Sequence, residues 1–455
     1  MDHVTIIGGG LAGCEAAWQL GRRGVSVHLL EMRPVGMRPA HHTADLAELV
    51  CSNSFKSDDP STATGLLKQE LGGLGSLVLA AARRTSVPAG SALAVDRARF
   101  SADVTAALEG LPSVTIERRE AVAIPDGDVI VAAGPLASAS LEAALVPLVG
   151  ADRLAFYDAA APIVDAETID KSRVFAASRW EKGQGSDYLN CPLDRKEYEH
   201  FVDALVAAQR TTLKEFERRD LFQACQPIEE VARTGVDALR FGALKPIGLT
   251  DPATGLRPWA VVQLRSENRA ATAYNLVGFQ TNLTFSEQRR VFALIPGLAG
   301  AEFLRYGVMH RNSFIEAPRL LTSGMALRSE PRIRFAGQLA GTEGYLEAAA
   351  TGLLAALDVV RARGAYPSFV MPPTTALGSL ISYATDPDTV DYQPMHVNFG
   401  LVPPLAERVR SKRARYEAYA HRACDDFVRA LDGAPWVAAT LTPGGTEAGL
   451  PGAPS

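Results

Sequence analysis

The sequence has no CxxC pair, and its five cysteines, Cys14, Cys51, Cys191, Cys225 and Cys424, are scattered over 455 residues. This argues against a structural zinc ribbon or a CxxC dithiol, and no metal site is expected. An odd, dispersed set fits reduced thiols in a cytoplasmic enzyme better than a disulfide framework. No apolar run approaches the roughly 20 residues of a membrane-spanning helix. The opening Met1-Asp2-His3 lacks the basic stretch of a signal peptide. Positive charge is not in excess either. The net charge of −5 disfavours a uniformly basic nucleic-acid binder, although a local basic patch can still act because the field that matters is local. No internal repeat is visible. A hydrophobic content of 47% with 21% charged residues is ordinary for a globular protein. The length points to two domains rather than one small core.

Against these absences stands a dense glycine pattern at the start. Val4 to Ile7 reads as a buried parallel strand and Gly8-Gly9-Gly10-Leu11-Ala12-Gly13 as a turn entering a helix over residues 11–22. Val25 to Leu30 reads as a second strand ending in Glu31. Gly8 permits the tight turn, Gly10 lets backbone approach a pyrophosphate, and Gly13 lets helix and strand pack closely. The helix N-terminus favours the phosphate charge, and Glu31 is placed to bind ribose hydroxyls. A lone glycine pattern is weak. The complete strand, turn, helix, strand and terminal acid point to a dinucleotide.

A second pattern lies near the other end. Arg334-Phe335-Ala336-Gly337-Gln338 reads as a strand ending at a glycine, and Gly344-Tyr345-Leu346-Glu347 opens a helix of small residues over 345–362. Small residues let backbone approach a flat ring, so the pair of motifs favours a flavin. Between them, Asp128 to Gly134 reads as a further strand, with Gly134 where backbone would turn beneath the cofactor. From about 155 to 309 the βαβ rhythm fades into mixed strands and helices. The expected fold is therefore α/β: a Rossmann-like FAD-binding domain of the glutathione-reductase kind with an inserted α+β domain. The expected boundaries are 1–154 and 310–432 for the two parts of the FAD-binding domain, 155–309 for the insertion, and 433–455 for a disordered tail.

Two cysteines sit in chemically suggestive places. Cys51 lies in the polar loop Cys-Ser-Asn-Ser-Phe-Lys, and Cys225 in a break between two helical runs. A thiol near Lys56 or a helix end gains nucleophilicity from a lowered pKa. Cys14, Cys191 and Cys424 read as packing residues. The run Glu407 to Arg422 reads as a basic helix whose Arg408, Arg410, Lys412, Arg413 and Arg415 could grip phosphates, or else as a solvated helix face.

Taken together, GGGLAGCEAAWQL, ELVCSNSFKSD, VPAGSALAVDR, RFGALKPIGL, YNLVGFQTNL and FAGQLAGTEGYLEAAATG resemble the bacterial folate- and FAD-dependent tRNA (uracil-5-)-methyltransferases over about residues 3–430. A larger flavoprotein that modifies the tRNA wobble uridine with a GTPase partner shares the flavin motifs, but has a long C-terminal helical domain. The resemblance implies methylation of a T-loop uridine with carbon from 5,10-methylenetetrahydrofolate, electrons from FAD recharged by NADPH or NADH, and no obligatory protein partner. It implies that Cys225 adds to uracil C6 and that Cys51 is the base or partner thiol, with the order open. The cofactor positions it implies are Gly8, Gly9, Gly10, Leu11, Ala12, Gly13, Glu31, Gly134, Gly337, Gln338, Gly344 and Tyr345. Asn282 and His310, with Tyr345, are expected to line a folate pocket. Rival readings are a flavin oxidoreductase with another substrate, a non-enzymatic tRNA-binding protein, and the wobble-uridine pathway.

Overall fold

The computed structural model describes residues 3–37, 41–135, 137–150, 154–159, 161–181, 186–211, 226–268, 270–307, 309–389 and 392–438, with backbone only at 154–159, 181 and 309–313. Its first layer is a five-stranded, all-parallel sheet in the order Ile333–Phe335, Val129–Val131, Val4–Ile7, Val27–Glu31, Val114–Arg118. The first three strands in this order are buried throughout. They are mostly apolar, since parallel strands covered on both faces need no polar side, and Thr5 and Arg334 are the polar residues in them. The strand nearest the C-terminus pairs with Val129–Val131, so a segment some 200 residues downstream completes the sheet begun at Val4.

The helices Leu11–Gly21 and Tyr345–Arg363 cross closely beside this sheet. Glycine makes the crossing possible. A Cβ on Gly352 would stand 2.1 Å from the Ala12 carbonyl oxygen, and one on Gly13 would stand 1.8 Å from the Gly8 carbonyl oxygen. Buried Arg334 secures the returning strand. It pairs with Asp128 and with Asp358, each at 2.9 Å, and so ties its own strand to the segment entering Val129–Val131 and to the 345–363 helix.

The second layer is a six-stranded antiparallel sheet, in the order Phe175–Ala176, Tyr188–Leu193, Ala260–Ser266, Ala273–Leu276, Ile163–Asp165, Phe303–Arg305. It packs a separate apolar cluster with the helices Arg195–Ala207 and Phe285–Phe292. Where the chain passes between the two sheets and back, Leu154–Ala159 and Met309–Phe314 pair with each other. A small three-stranded sheet, Ser54–Ser57, Ala92–Val95, Ser86–Val87, lies beside the loop that carries Cys51.

Three expectations change. The basic run does not form one helix from 407: the helix is Lys412–Asp432, begun at Ser411, whose hydroxyl accepts from the Ala414 N–H. Residues 433–438 do not belong with a disordered tail, since Pro435–Ala438 is a helical turn whose Trp436 stacks on Tyr366 at 5.2 Å; residues 439–455 lie outside the described residues. Cys424 is exposed rather than packed, whereas Cys14 and Cys191 are fully buried.

The crossing gives a direct stability test. Gly352→Val would drive a side chain into backbone, and is expected to cost about 3 kcal/mol or more. Gly235→Ala, where an added Cβ meets nothing within 4 Å, should stay within about 0.5 kcal/mol. Denaturant melts of the two variants check this.

Candidate functional site

A cleft of about 800 Å³ opens where the two glycine motifs meet, and it reaches from Gly8, Gly10 and Glu31 past Gly134 to Gly337, Gly344 and Tyr345. Its size lies within the range of small-molecule and cofactor sites. Gly8 has a φ of +107°, and a Cβ there would meet Ala132 O at 2.4 Å, so the turn needs glycine. At Gly10 an added Cβ would meet nothing within 4 Å. That leaves open space beside the first N–H groups of the Leu11–Gly21 helix, and none of its capping comes from a side chain. Gly337, with φ +74°, sits 3.1 Å (as a built Cβ) from the Ala12 side chain, and its N–H donates to Thr351 Oγ1 at 2.8 Å. The expected cofactor positions Gly8, Gly10, Leu11, Ala12, Glu31, Gly134, Gly337, Gln338, Gly344 and Tyr345 line one cleft; Gly9 and Gly13 lie behind it as packing positions. An open phosphate-sized approach at a helix N-terminus with an acid at the next strand end fits a dinucleotide.

Glu31 is already engaged. Its Oε2 accepts from the Gly9 N–H at 2.7 Å, and its Oε1 accepts from the Arg33 N–H and Nε, both at 2.9 Å. Arg33 reaches on to Glu48 at 2.9 Å. Burial pushes the Glu31 carboxyl up, but the hydrogen bond and charge of Arg33 outweigh it, so the group titrates below its ordinary value. A carboxylate has about four acceptor sites, which leaves capacity for ribose hydroxyls.

Tyr345 does something the sequence did not suggest. Its hydroxyl accepts from the N–H groups of Cys51 (3.1 Å) and Ser52 (3.0 Å) and donates to the Ser52 carbonyl (2.7 Å). The Cys51 carbonyl accepts in turn from Arg97 at 3.0 Å and Arg305 at 2.9 Å, and Arg97 is paired with Glu267. Asn53 donates to Val95 O and Ser266 O and accepts from Arg265 Nε. The Cys51 loop is thus pinned by the start of the 345–363 helix, by Arg97 and by the six-stranded sheet through Arg265, Ser266 and Arg305, and Cys51 lines the cleft. Nearby, Glu347 takes the Lys56 ammonium at 3.1 Å and the Val397 N–H at 3.3 Å, which closes the wall holding His396. Burial, and next the Lys56 charge, hold the His396 imidazole below its usual pKa although Glu347 opposes them. Sequence reasoning missed Arg97, Arg305, Glu267 and His396. Their signal was faint: Arg97 closes the quoted VPAGSALAVDR motif, but the others lie outside the quoted motifs, and a partner can lie as far as 254 residues away.

Among the described residues, Asn282 does not line this cleft. It is buried, its side chain donates to the Thr211 carbonyl at 3.2 Å, and its N–H donates to Glu229 at 2.7 Å. The neighbouring Gln280 lines the cleft instead, and its carbonyl accepts from the Ile228 N–H at 2.7 Å. Residues 280–282 therefore hold both Thr211 and Ile228. Cys225 lies outside the described residues. His310 lies in the strand Met309–Phe314, with its side chain outside the described set. Of the basic run, Arg408, Arg410, Lys412 and Arg413 are exposed and Arg415 half-buried, and Arg413 is paired with Glu417 at 2.9 Å. Among the described residues no cluster of His, Cys, Asp and Glu could hold a metal ion, and no helix is long and apolar enough to cross a membrane.

With this geometry in view, comparison with known proteins is decisive. A family model described as "Glucose inhibited division protein A" matches residues 3–365. A methylenetetrahydrofolate--tRNA-(uracil-5-)-methyltransferase of Moorella thermoacetica is 54% identical over 426 residues, covering 93% of this chain and 97% of that protein. The chain belongs to the methylenetetrahydrofolate--tRNA-(uracil-5-)-methyltransferase family. The Geobacter sulfurreducens member is 55% identical over 414 residues, covering 90% of this chain and 95% of the other. Aquifex aeolicus GidA shares the fold, with a TM-score of 0.68 at 16% identity over 96% of this chain and 75% of that one.

Two outcomes follow from the site's hydrogen bonds. Tyr345→Phe leaves two N–H groups and a carbonyl without their partner, at about 1–3 kcal/mol; hydrogen exchange at the Cys51 and Ser52 amides should quicken at least about tenfold. For Glu31, whose folded pKa is depressed, the stabilising contribution is present above the ordinary glutamate pKa of about 4.3 and is lost as pH falls through the lower folded value. The stability gap between wild type and Glu31→Gln should therefore be full at neutral pH and close below about pH 4, as thermal melts across pH will register.

Proposed function

We propose that the chain methylates C5 of a T-loop uridine in tRNA, in the cytoplasm, with the carbon drawn from 5,10-methylenetetrahydrofolate. When bound and reduced, FAD would supply the two electrons that take this carbon from the methylene to the methyl level, and NADPH or NADH would reduce it again. The observation that carries the reading is Cys51, held by its backbone at the wall of a cleft built from both glycine motifs. A flavin oxidoreductase acting on another substrate gives that thiol no task.

Uracil C5 is a poor nucleophile until a thiolate adds at C6. The addition places enolate character on the ring, C5 then attacks the one-carbon unit, the C5 proton leaves to a base, and elimination frees the thiol. We assign the C6 addition to Cys225 and the base or partner role to Cys51, with the reverse order as the alternative. Cleft-lining Gly10, Gly337 and Gly344 would approach the cofactor by backbone, and Glu31 would take its ribose. Arg408, Arg410, Lys412, Arg413 and Arg415 would meet tRNA phosphates. His310 remains a candidate for the folate pocket.

The test is methyl incorporation into tRNA lacking the T-loop methyl group, with labelled methylenetetrahydrofolate and NADPH or NADH. Label at uridine C5, abolished by both Cys225→Ala and Cys51→Ala, is the expected result. Label surviving Cys225→Ala overturns the nucleophile. NAD(P)H oxidation without label on tRNA overturns the methyltransferase reading.

A further inference from the structure

In and beside the cleft stand three aromatic rings that the chemistry above does not use. Phe399 lies 4.7 Å from Tyr416 and stacks on Tyr419 at 5.3 Å with 19° between the planes. Phe399 and Tyr416 both line the cleft. The tyrosines belong to the Lys412–Asp432 helix, which buries only Ala423 and Phe427 along its 21 residues. Cations surround the rings: Lys412 at 5.5 Å and Arg415 at 5.9 Å from the Tyr416 centroid, and Arg422 at 5.3 Å from that of Tyr419. Arg422 also donates to the carbonyls of Pro403 and Pro404 at 2.5 and 2.9 Å, fixing the loop that follows Phe399 against the helix. The arrangement is therefore prebuilt.

A single buried aromatic pair would be packing. Here the rings are only half-buried, and two of them, Phe399 and Tyr416, line the site. Between residues 408 and 422 there are six cations and one carboxylate, Glu417, in a chain whose net charge is −5. Aromatic faces interleaved with cations are the means by which proteins hold unpaired nucleotides: bases stack on the rings and phosphates meet the charges. A uridine presented to the cleft must leave its stack, and that strips its neighbour of a stacking partner.

We propose that Phe399, Tyr416 and Tyr419 form a stacking platform for the nucleotide next to the target uridine, with Lys412, Arg415 and Arg422 holding its phosphates. The proposal rests on tRNA being the substrate and goes beyond it by naming where, and by which contacts, the RNA strand is held beside the cleft. Base stacking tolerates any base but needs the ring, whereas the cations act through charge. The two contributions therefore separate by substitution and by salt.

The experiment uses the full-length flavin-loaded protein and a T-arm RNA hairpin carrying 2-aminopurine beside the target uridine. With wild type, the fluorophore should be quenched on binding. Tyr416→Ala and Tyr419→Ala should each raise Kd about tenfold or more and lose quenching, with the salt dependence of Kd unchanged. Tyr416→Phe should restore both affinity and quenching, since only the hydroxyl is lost. Arg415→Ala should instead lower the slope of log K against log salt by about 0.7–0.9. Wild-type Kd and quenching in both alanine variants would overturn the platform, as would flavin loss from Tyr416→Ala with RNA binding intact, which would make the ring a cofactor wall. If wild type methylates tRNA while the variants bind as it does, the platform alone falls. If wild type binds no T-arm RNA, the substrate reading falls with it.

Discussion

The crossing of the Leu11–Gly21 and Tyr345–Arg363 helices is the constraint on which the rest of the molecule depends. At Gly352 and Ala12 the two backbones come so close that no side chain fits between them. This contact brings a turn from the first 13 residues against a turn from residues 337–344. The strand Ile333–Phe335 enters the sheet beside Val129–Val131 and fixes the same juxtaposition from below. Because Tyr345 starts the second helix, its hydroxyl arrives at a set place, and the Cys51 loop can be built onto it. Helix crossing, cleft and thiol position are linked in that order.

Buried charge does the remaining organising. Glu31, Arg33 and Glu48 form a chain of ion pairs behind the first turn, and Glu347 with Lys56 does the same behind the second. Charges in such places cost desolvation, and replacing a buried ion pair by hydrophobic residues of similar volume is often no less stable. Their value here is geometric. Glu31 fixes the Gly9 N–H and Arg33; Glu347 joins the Cys51-side strand, the helix start and the segment at Val397. Each carboxylate thus sets the spacing of backbone segments that a purely apolar contact would allow to slide.

The glycine motifs were legible because each glycine reports a local backbone need: Gly8 its positive φ, Gly13 its contact with Gly8, Gly344 its φ of +124°. The parallel sheet was legible for a similar reason, through short apolar runs separated by helices. What the sequence could not show was partnership across distance. Tyr345 reads as a ring at a helix start, and nothing local says that its hydroxyl serves residues 293 and 294 positions upstream. Asn282 is expected at a folate pocket only through the family resemblance, and its side-chain amide donates to the Thr211 carbonyl. The helix beginning at 412 rather than 407 turns on Ser411, an N-cap residue inside a basic run. Charge spacing drew attention away from it.

The anchors at residues 280–282 bear on the same economy. Glu229 is a buried carboxylate whose pKa is raised by desolvation, and it is stabilised by Thr281 at 2.8 Å and the Asn282 N–H at 2.7 Å. These bonds, with Asn282 to Thr211 and Gln280 to Ile228, are directed mainly at backbone. The Cys51 loop is held in the same way, through its N–H and carbonyl groups by Tyr345, Arg97 and Arg305. Backbone anchoring fixes where a segment runs. Reacting groups need close placement for an intramolecular advantage, and a main chain held on both its N–H and carbonyl sides supplies that placement, which explains why so many long-range hydrogen bonds among the described residues end on a carbonyl or an amide beside a functional residue.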